Sequence, residues 1–280
     1  MNDIKILFSN KKIRIFIIVV SIVLLYTMLG IYNYSKSYYT PDYPMEDISD
    51  IFIKEDITDR DYEKIFLNTG VAQIASKELI DSGNTTLLRF LNSYYFKKPL
   101  YKNKYIAFPV TANELNEGIR TPLVPLKKGD VLITFNTHTL LWRHCHSAIV
   151  VDDKGEEILE HIAVGHKSRI SPSQRWGVYP GFMILRYKDS NVAKKAADYA
   201  RENLDGIDYN VFAGLIDKDK SKNDVVDSSH CSHIVWQAYK AAGYDIDSDK
   251  GSIVTPYDMA MCDDFQLVQI FGINPEEYMK

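Results

Sequence analysis

One cysteine, Cys231, stands where a helix should begin, in Ser228-Ser229-His230-Cys231-Ser232-His233-Ile234-Val235-Trp236. Well upstream, a strand-like run opens on a histidine, His146-Ser147-Ala148-Ile149-Val150-Val151. A thiol at a helix start and a distant imidazole are the pair that cysteine hydrolases use. From Cys231 the apolar residues recur at Ile234, Val235, Ala238, Tyr239 and Ala242, one face of a helix. Asp227, Ser228 or Ser229 is expected to cap it and Gly243 to end it. The unpaired N–H groups and positive dipole of that helix start lower a thiol pKa. The same N–H groups suit a developing oxyanion. The competing reading is packing, since free cysteine is among the most buried residue types and Cys231 continues the apolar stripe.

Positioning these residues requires a sheet and helices. Short strands are expected over 131–135, 147–151, 158–161 and 183–187, with Asp152-Asp153-Lys154-Gly155 turning the chain between two of them. That hairpin brings His146 opposite Glu160 or His161, depending on a one-residue difference in register. Either side chain can hold the imidazole in its working tautomer, and spacing alone leaves both open. A helix with Ala193, Ala196, Ala197, Ala200 and Leu204 on one face ends at Gly206. A polar loop over 217–227, with the charge run 217–222 solvated, then leads to the Cys231 helix. Strands clustered with helices after them indicate an α+β domain. Residues 33–44 read as a tether and 45–120 as a helical juxtamembrane region that packs against the main domain. There Asp59 or Asp61 caps a segment through Tyr62, Ile65, Phe66, Val71, Ile74 and Leu79, broken by Gly70 and closed by Gly83. Leu87, Leu88, Phe90, Leu91 and Tyr94 give another helix before Pro99.

Residues 15–32 carry no charge and follow Lys5, Lys11, Lys12 and Arg14. The stretch is long enough to span a bilayer. The basic flank, 1–14, is expected in the cytoplasm and the remainder outside. A cleaved signal peptide is the competitor, but its apolar core is shorter and carries a small-x-small site. A hydrophobic content of 46% over 280 residues suffices for a large core. The net charge of -4, with no basic stripe interleaved with aromatics after the N-terminus, argues against a nucleic-acid partner. Cys145, Cys231 and Cys262 cannot form an even disulfide framework, so at least one is a free thiol. Whether Cys145 and Cys262 pair is open. His144, His146 and Cys231 form a soft set that zinc accepts, but no CxxC pair accompanies them, and no metal is expected. Asp130, after Gly129, reads as a turn residue.

Six short segments, in order, resemble one family. Leu126-Lys127-Lys128-Gly129-Asp130-Val131-Leu132 is similar to its "GDII" strand, His146-Ser147-Ala148-Ile149-Val150 to its "HVGIY" strand and Ile158-Leu159-Glu160 to its "VIE" strand. Gly206-Ile207-Asp208-Tyr209-Asn210-Val211-Phe212 resembles its "YDxxF" segment, His230-Cys231-Ser232-His233-Ile234-Val235 its "CSELV" helix and Thr255-Pro256-Tyr257-Asp258-Met259 its "TPxDL" tail. These are the circularly permuted NlpC/P60, papain-like cysteine hydrolases of the YiiX type, and the order His, acid, Cys is the permuted order. The resemblance covers roughly residues 121–272 within a domain read as 121–280. It implies a papain-like fold with a small antiparallel sheet packed on helices. Cys231 is then the nucleophile, His146 the general base and later acid, and Glu160 the orienting residue, with His161 as the alternative third member. Tyr209 lines the substrate groove, and no metal or cofactor takes part. The family implies an amide substrate, with cell-wall peptide the leading expectation and lipid amides or esters the alternative. A non-catalytic anchored scaffold is the third reading.

Overall fold

The computed structural model describes residues 11–35, 38–107, 111–118, 120–139, 142–214 and 226–278. Helix α1, Lys11–Ser35, contains the segment Lys11–Tyr32, with a mean hydropathy of 2.6, long and apolar enough to cross a bilayer. Most of the polar run at 217–227 lies outside the described residues.

The apolar stripes read along the chain converge on both faces of one antiparallel sheet, giving an α+β architecture. Its strands are β3 (Val131–Thr134), β6 (His146–Val150), β7 (Glu157–Glu160), β8 (Arg169–Pro172), β9 (Phe182–Tyr187) and β12 (Phe265–Phe271), in the order β12-β9-β3-β6-β7-β8. Strand residues alternate between faces. Val131, Ile133, Ile149, Leu159 and Leu185 therefore pack on the alanine-rich face of α5 (Ser190–Asn203) and on α6 (Cys231–Ala241). Leu132, Ala148, Val150, Ile158 and Ile184 pack on the other side, against α2 (Asp59–Thr69), α3 (Gln73–Asp81) and α4 (Thr85–Tyr95). Two small features lock the turn into β3. Gly129 adopts φ +89, and a Cβ there would sit 2.5 Å from the Ala193 carbonyl oxygen. Asp130 is buried and receives Arg186 on both oxygens, Nε at 2.9 Å and Nη2 at 2.8 Å.

Several local expectations change. Thr58, not Asp59 or Asp61, caps α2, and Asp61 returns the bond in a capping box. The segment read as wholly helical over 45–120 also contains the hairpin β1 (Tyr101–Ala107) and β2 (Thr111–Asn116). With β4 (Thr137–Thr139) and β5 (Trp142–Arg143) it forms a second sheet, β1-β2-β4-β5, in which Arg143 grips buried Glu114 through both carboxylate oxygens at 2.7 and 2.8 Å. The chain also holds a basic stripe interleaved with aromatics after the N-terminus, contrary to the composition argument. Tyr95, Phe96, Lys97, Lys98, Tyr101, Lys102, Lys104 and Tyr105 lead into and along β1, and no acidic residue lies between Asp81 and Glu114. A net charge summed over the whole chain hides such a segment.

Candidate active site

Cys231 is the first residue of α6, which lies across the sheet face that carries Ser147 and Ile149. The Ser147 hydroxyl donates to the Cys231 carbonyl at 3.1 Å, fixing the helix start beside the start of β6. His146 opens that strand at the sheet's end, where its imidazole and the thiol lie close enough for each to shift the other's titration. Nε2 of His146 lies 3.2 Å from Oε2 of Glu160, which leaves Nδ1 for the sulfur. The three groups are nearly enclosed, with relative exposures of 9% for Cys231, 3% for His146 and 1% for Glu160.

The hairpin register differs from both expected alternatives. Ala148, rather than His146, lies opposite Glu160. His146 and Glu160 still share a face, as diagonal neighbours two residues offset, within reach of long side chains. The carboxylate that orients the ring is itself held. Its Oε1 accepts from Ser171 Oγ at 2.8 Å and from Arg175 Nη1 at 2.8 Å, with Arg169 Nε 3.9 Å away. Trp176 stacks on the His146 ring, centroids 5.3 Å apart and planes at 23°. An indole face favours a cationic imidazole.

Electrostatics follow from this packing. Burial raises the Cys231 thiol, but hydrogen bonds with His146 and His230 and their charges outweigh it and hold the sulfur well below its ordinary range. Burial likewise lowers His146, and its bonds to Cys231 and Glu160 reverse that, raising it to about 9. Burial raises Glu160, and the His146 and Arg175 partners bring its net position below the usual carboxylate value. The site thus favours a thiolate, an imidazolium and a carboxylate in one chain of contacts. The other described thiols differ. Burial, reinforced by the charge of Cys231, pushes Cys145 up to about 12. Cys262 lines a cavity of about 490 Å³ between α2, β12 and α7 (Pro256–Met261), together with Phe66, Met183 and Phe265. None of the three cysteines forms a disulfide, so Cys145 and Cys262 do not pair.

His161 lies beyond the end of β7, fully buried. Its Nε2 is 3.1 Å from the His166 carbonyl oxygen, so that nitrogen donates, and its Nδ1 has no partner. Burial lowers its pKa, which keeps the ring neutral and Nδ1 an acceptor. The contact to the His146 ring belongs to Glu160. Tyr209, in β10 (Asp208–Tyr209), sits edge-on to the His161 ring at 4.8 Å and is half-buried. Burial and the nearby Cys231 charge both raise its hydroxyl pKa. His144, the third member of the zinc alternative, directs Nε2 to Thr139 Oγ at 2.8 Å and places Nδ1 3.1 Å from the Cys145 carbonyl oxygen.

Three features were not anticipated. His230, not Asp227, Ser228 or Ser229, caps α6 through its side chain, because Ser228–Ser229 pairs as strand β11 with β10. The same His230 helps lower the thiol pKa, while its ring nitrogens lie 3.2 Å from the Ala213 carbonyl oxygen and 3.2 Å from the Ser232 hydroxyl. Arg175 and Ser171, which hold Glu160, lie in and beside a 3-10 turn, Ser173–Val178, that carries no helical or strand periodicity. Cys145, before His146, holds a left-handed φ of +65, unusual for a residue other than glycine and a form of strain that clusters at functional sites. The chain matches no known family model, no curated protein and no solved structure.

Proposed function

We propose that this chain is a cysteine hydrolase of the circularly permuted NlpC/P60, papain-like kind, cleaving an amide bond through a thioester. The observation that carries the reading is one side-chain constellation, the Cys231 thiol at a helix start beside His146, each shifting the other's titration, with His146 Nε2 reaching Glu160 at 3.2 Å. In the reaction the thiolate attacks the carbonyl carbon, and the N–H groups of the first turn of α6, including that of Cys231, receive the oxyanion. As the tetrahedral adduct collapses, the C–N bond breaks and the His146 imidazolium gives its proton to the leaving amine. A water molecule then loses a proton to neutral His146 and attacks the thioester. The carboxylic acid leaves and the thiolate–imidazolium pair returns. Glu160 keeps the ring oriented and steadies its positive state throughout, as the third member of a triad does.

The family resemblance and an anchoring α1 favour cell-wall peptides as substrate, on the outer side of the membrane. One observation favours a second substrate class, lipid amides or esters: β5 packs beside α1, and Trp142 of that strand is four residues from His146. The test incubates the purified full chain with isolated cell wall and, separately, with acylated lipid in detergent. Product masses are compared with those from Cys231→Ala. Release of stem-peptide fragments that needs Cys231 supports the first class, and Cys231-dependent loss or transfer of an acyl chain supports the second. Equal product masses from the two proteins with both substrates, and no faster alkylation of Cys231 than of Cys145 and Cys262, leave the non-catalytic scaffold.

A further inference from the structure

We infer that the edge strand β1 and its lysine-rich approach dock on the anionic headgroups of the bilayer that α1 enters, holding the ectodomain flat against that surface. The inference rests on α1 spanning a membrane and is independent of the reaction at Cys231. Chain length supplies the first argument. Helix α1 ends at Ser35, and Tyr38 already touches the ectodomain, its ring 5.7 Å from that of Tyr101, while the Tyr39 N–H donates to the Gly272 carbonyl at 2.7 Å. Three residues of extended chain reach only about 10 Å. Tyr101, the first residue of β1, therefore lies at the level where α1 leaves the hydrocarbon.

Charge supplies the second argument. Lys98 lies over the Tyr38 ring at 5.8 Å, which puts it at the same exit point. Lys97 and Lys104 are exposed nearby, and Lys102 shares Glu117 at 2.9 Å. A cluster of lysines beside a membrane helix is the composition that anionic lipid surfaces attract. The third argument is apolar exposure on β1 and its approach, with Leu100 at 75% and Tyr105 at 54%. Aromatic rings with a polar edge are the residues enriched at the membrane–water interface. The basic and aromatic groups therefore match one occupant, a headgroup layer with anionic phosphates above an apolar boundary.

The test uses the full chain carrying Leu100→Trp in a Trp142→Phe background, reconstituted in vesicles of phosphatidylcholine alone or with phosphatidylglycerol, and reads tryptophan quenching by aqueous acrylamide. Position 100 then dominates that signal, because Trp176 and Trp236 are 0% and 1% exposed. Each lysine beside an anionic surface multiplies the docked population roughly fivefold. The expected result is severalfold weaker quenching in the anionic vesicles than in neutral ones, reversed by salt. Lys97→Glu/Lys98→Glu/Lys104→Glu abolishes the difference and the corresponding triple arginine variant keeps it. Equal quenching in both vesicles overturns the proposal. So does protection that persists in the charge-reversed chain, or protection of the chain in neutral vesicles by soluble polyphosphate or an RNA oligonucleotide to the same degree as by phosphatidylglycerol. Should charge reversal lower the unfolding temperature, the triple glutamine variant replaces it, with the same two outcomes.

Discussion

Replacing Glu160 by Gln changes one atom and removes one charge, and the surroundings make that change severe. Glu160 accepts from His146 Nε2, Ser171 Oγ and Arg175 Nη1. A carboxylate has two acceptor oxygens, whereas an amide has one, and its NH2 group faces a donor on whichever side it is turned. If the amide oxygen goes to Arg175, the NH2 confronts His146 and drives the ring to place its lone pair on Nε2 and its proton on Nδ1. If it goes to His146, the partly exposed Arg175 loses its carboxylate partner and keeps Ser171 Oγ at 3.3 Å. The rise of His146 from 6.5 to about 9 corresponds to roughly 3 kcal/mol of preference for the imidazolium, shared between Cys231 and Glu160 against burial. Glu160 has the smaller share of that gain. Its neutralisation is therefore expected to lower the imidazolium pKa and, because the thiolate depends on that cation, to raise the Cys231 pKa. The assay is the pH dependence of carbamidomethylation, read at each cysteine by peptide mass spectrometry, which needs no knowledge of the substrate. The native chain should label Cys231 well below the ordinary thiol range and the Gln variant only as pH rises toward it. Superimposable profiles for the two proteins would refute the assignment of Glu160 as the group that steadies His146.

Other outcomes follow from the same structure. In the proposed reaction the imidazolium protonates the leaving amine, and the folded His146 pKa is raised. The protonated state, and the stability it contributes, is thus full below 6.5 and lost as pH rises through about 9. Hydrolysis should accordingly show an alkaline limb near that value, measured on whichever substrate the product analysis yields. Cys145→Gly should be neutral or stabilising by up to about 1 kcal/mol in thermal unfolding, because glycine removes the cost of a left-handed φ. Loss of more than that would mean the Cys145 side chain contributes packing the backbone argument ignores. Arg186→Met leaves Asp130 buried without its partner and should cost about 3–5 kcal/mol, read by denaturant unfolding. A loss under about 1 kcal/mol would contradict the structural role given to that pair.

The legible parts of the sequence were those with a local cause. The 3.6-residue rhythm after Cys231 located α6, and Asp152 to Gly155 located the β6–β7 turn, since both signals lie within a few residues of what they specify. The register was not legible, because it is also set by pairing of β7 with β8, whose Arg169–Pro172 shows no strong alternation. His230 escaped as a cap because Ser and Asp outrank it in propensity, and the parallel pairing of Ser228–Ser229 with β10 removed them from that role. Arg175 could not be found at all from sequence, since only folding brings it to Glu160. The hairpin β1–β2 was hidden by its lysines, which weaken an apolar alternation but are natural on an edge strand.

The most direct measurement is reaction of the full chain, at neutral pH, with a limiting amount of a thiol-directed label, mapped by peptide mass spectrometry in the native protein and in His146→Ala. A thiolate held by His146 predicts label on Cys231 far ahead of Cys145 and Cys262, and loss of that preference in the variant. Label confined to Cys145 or Cys262, or a Cys231 reactivity that ignores the loss of His146, would contradict the account.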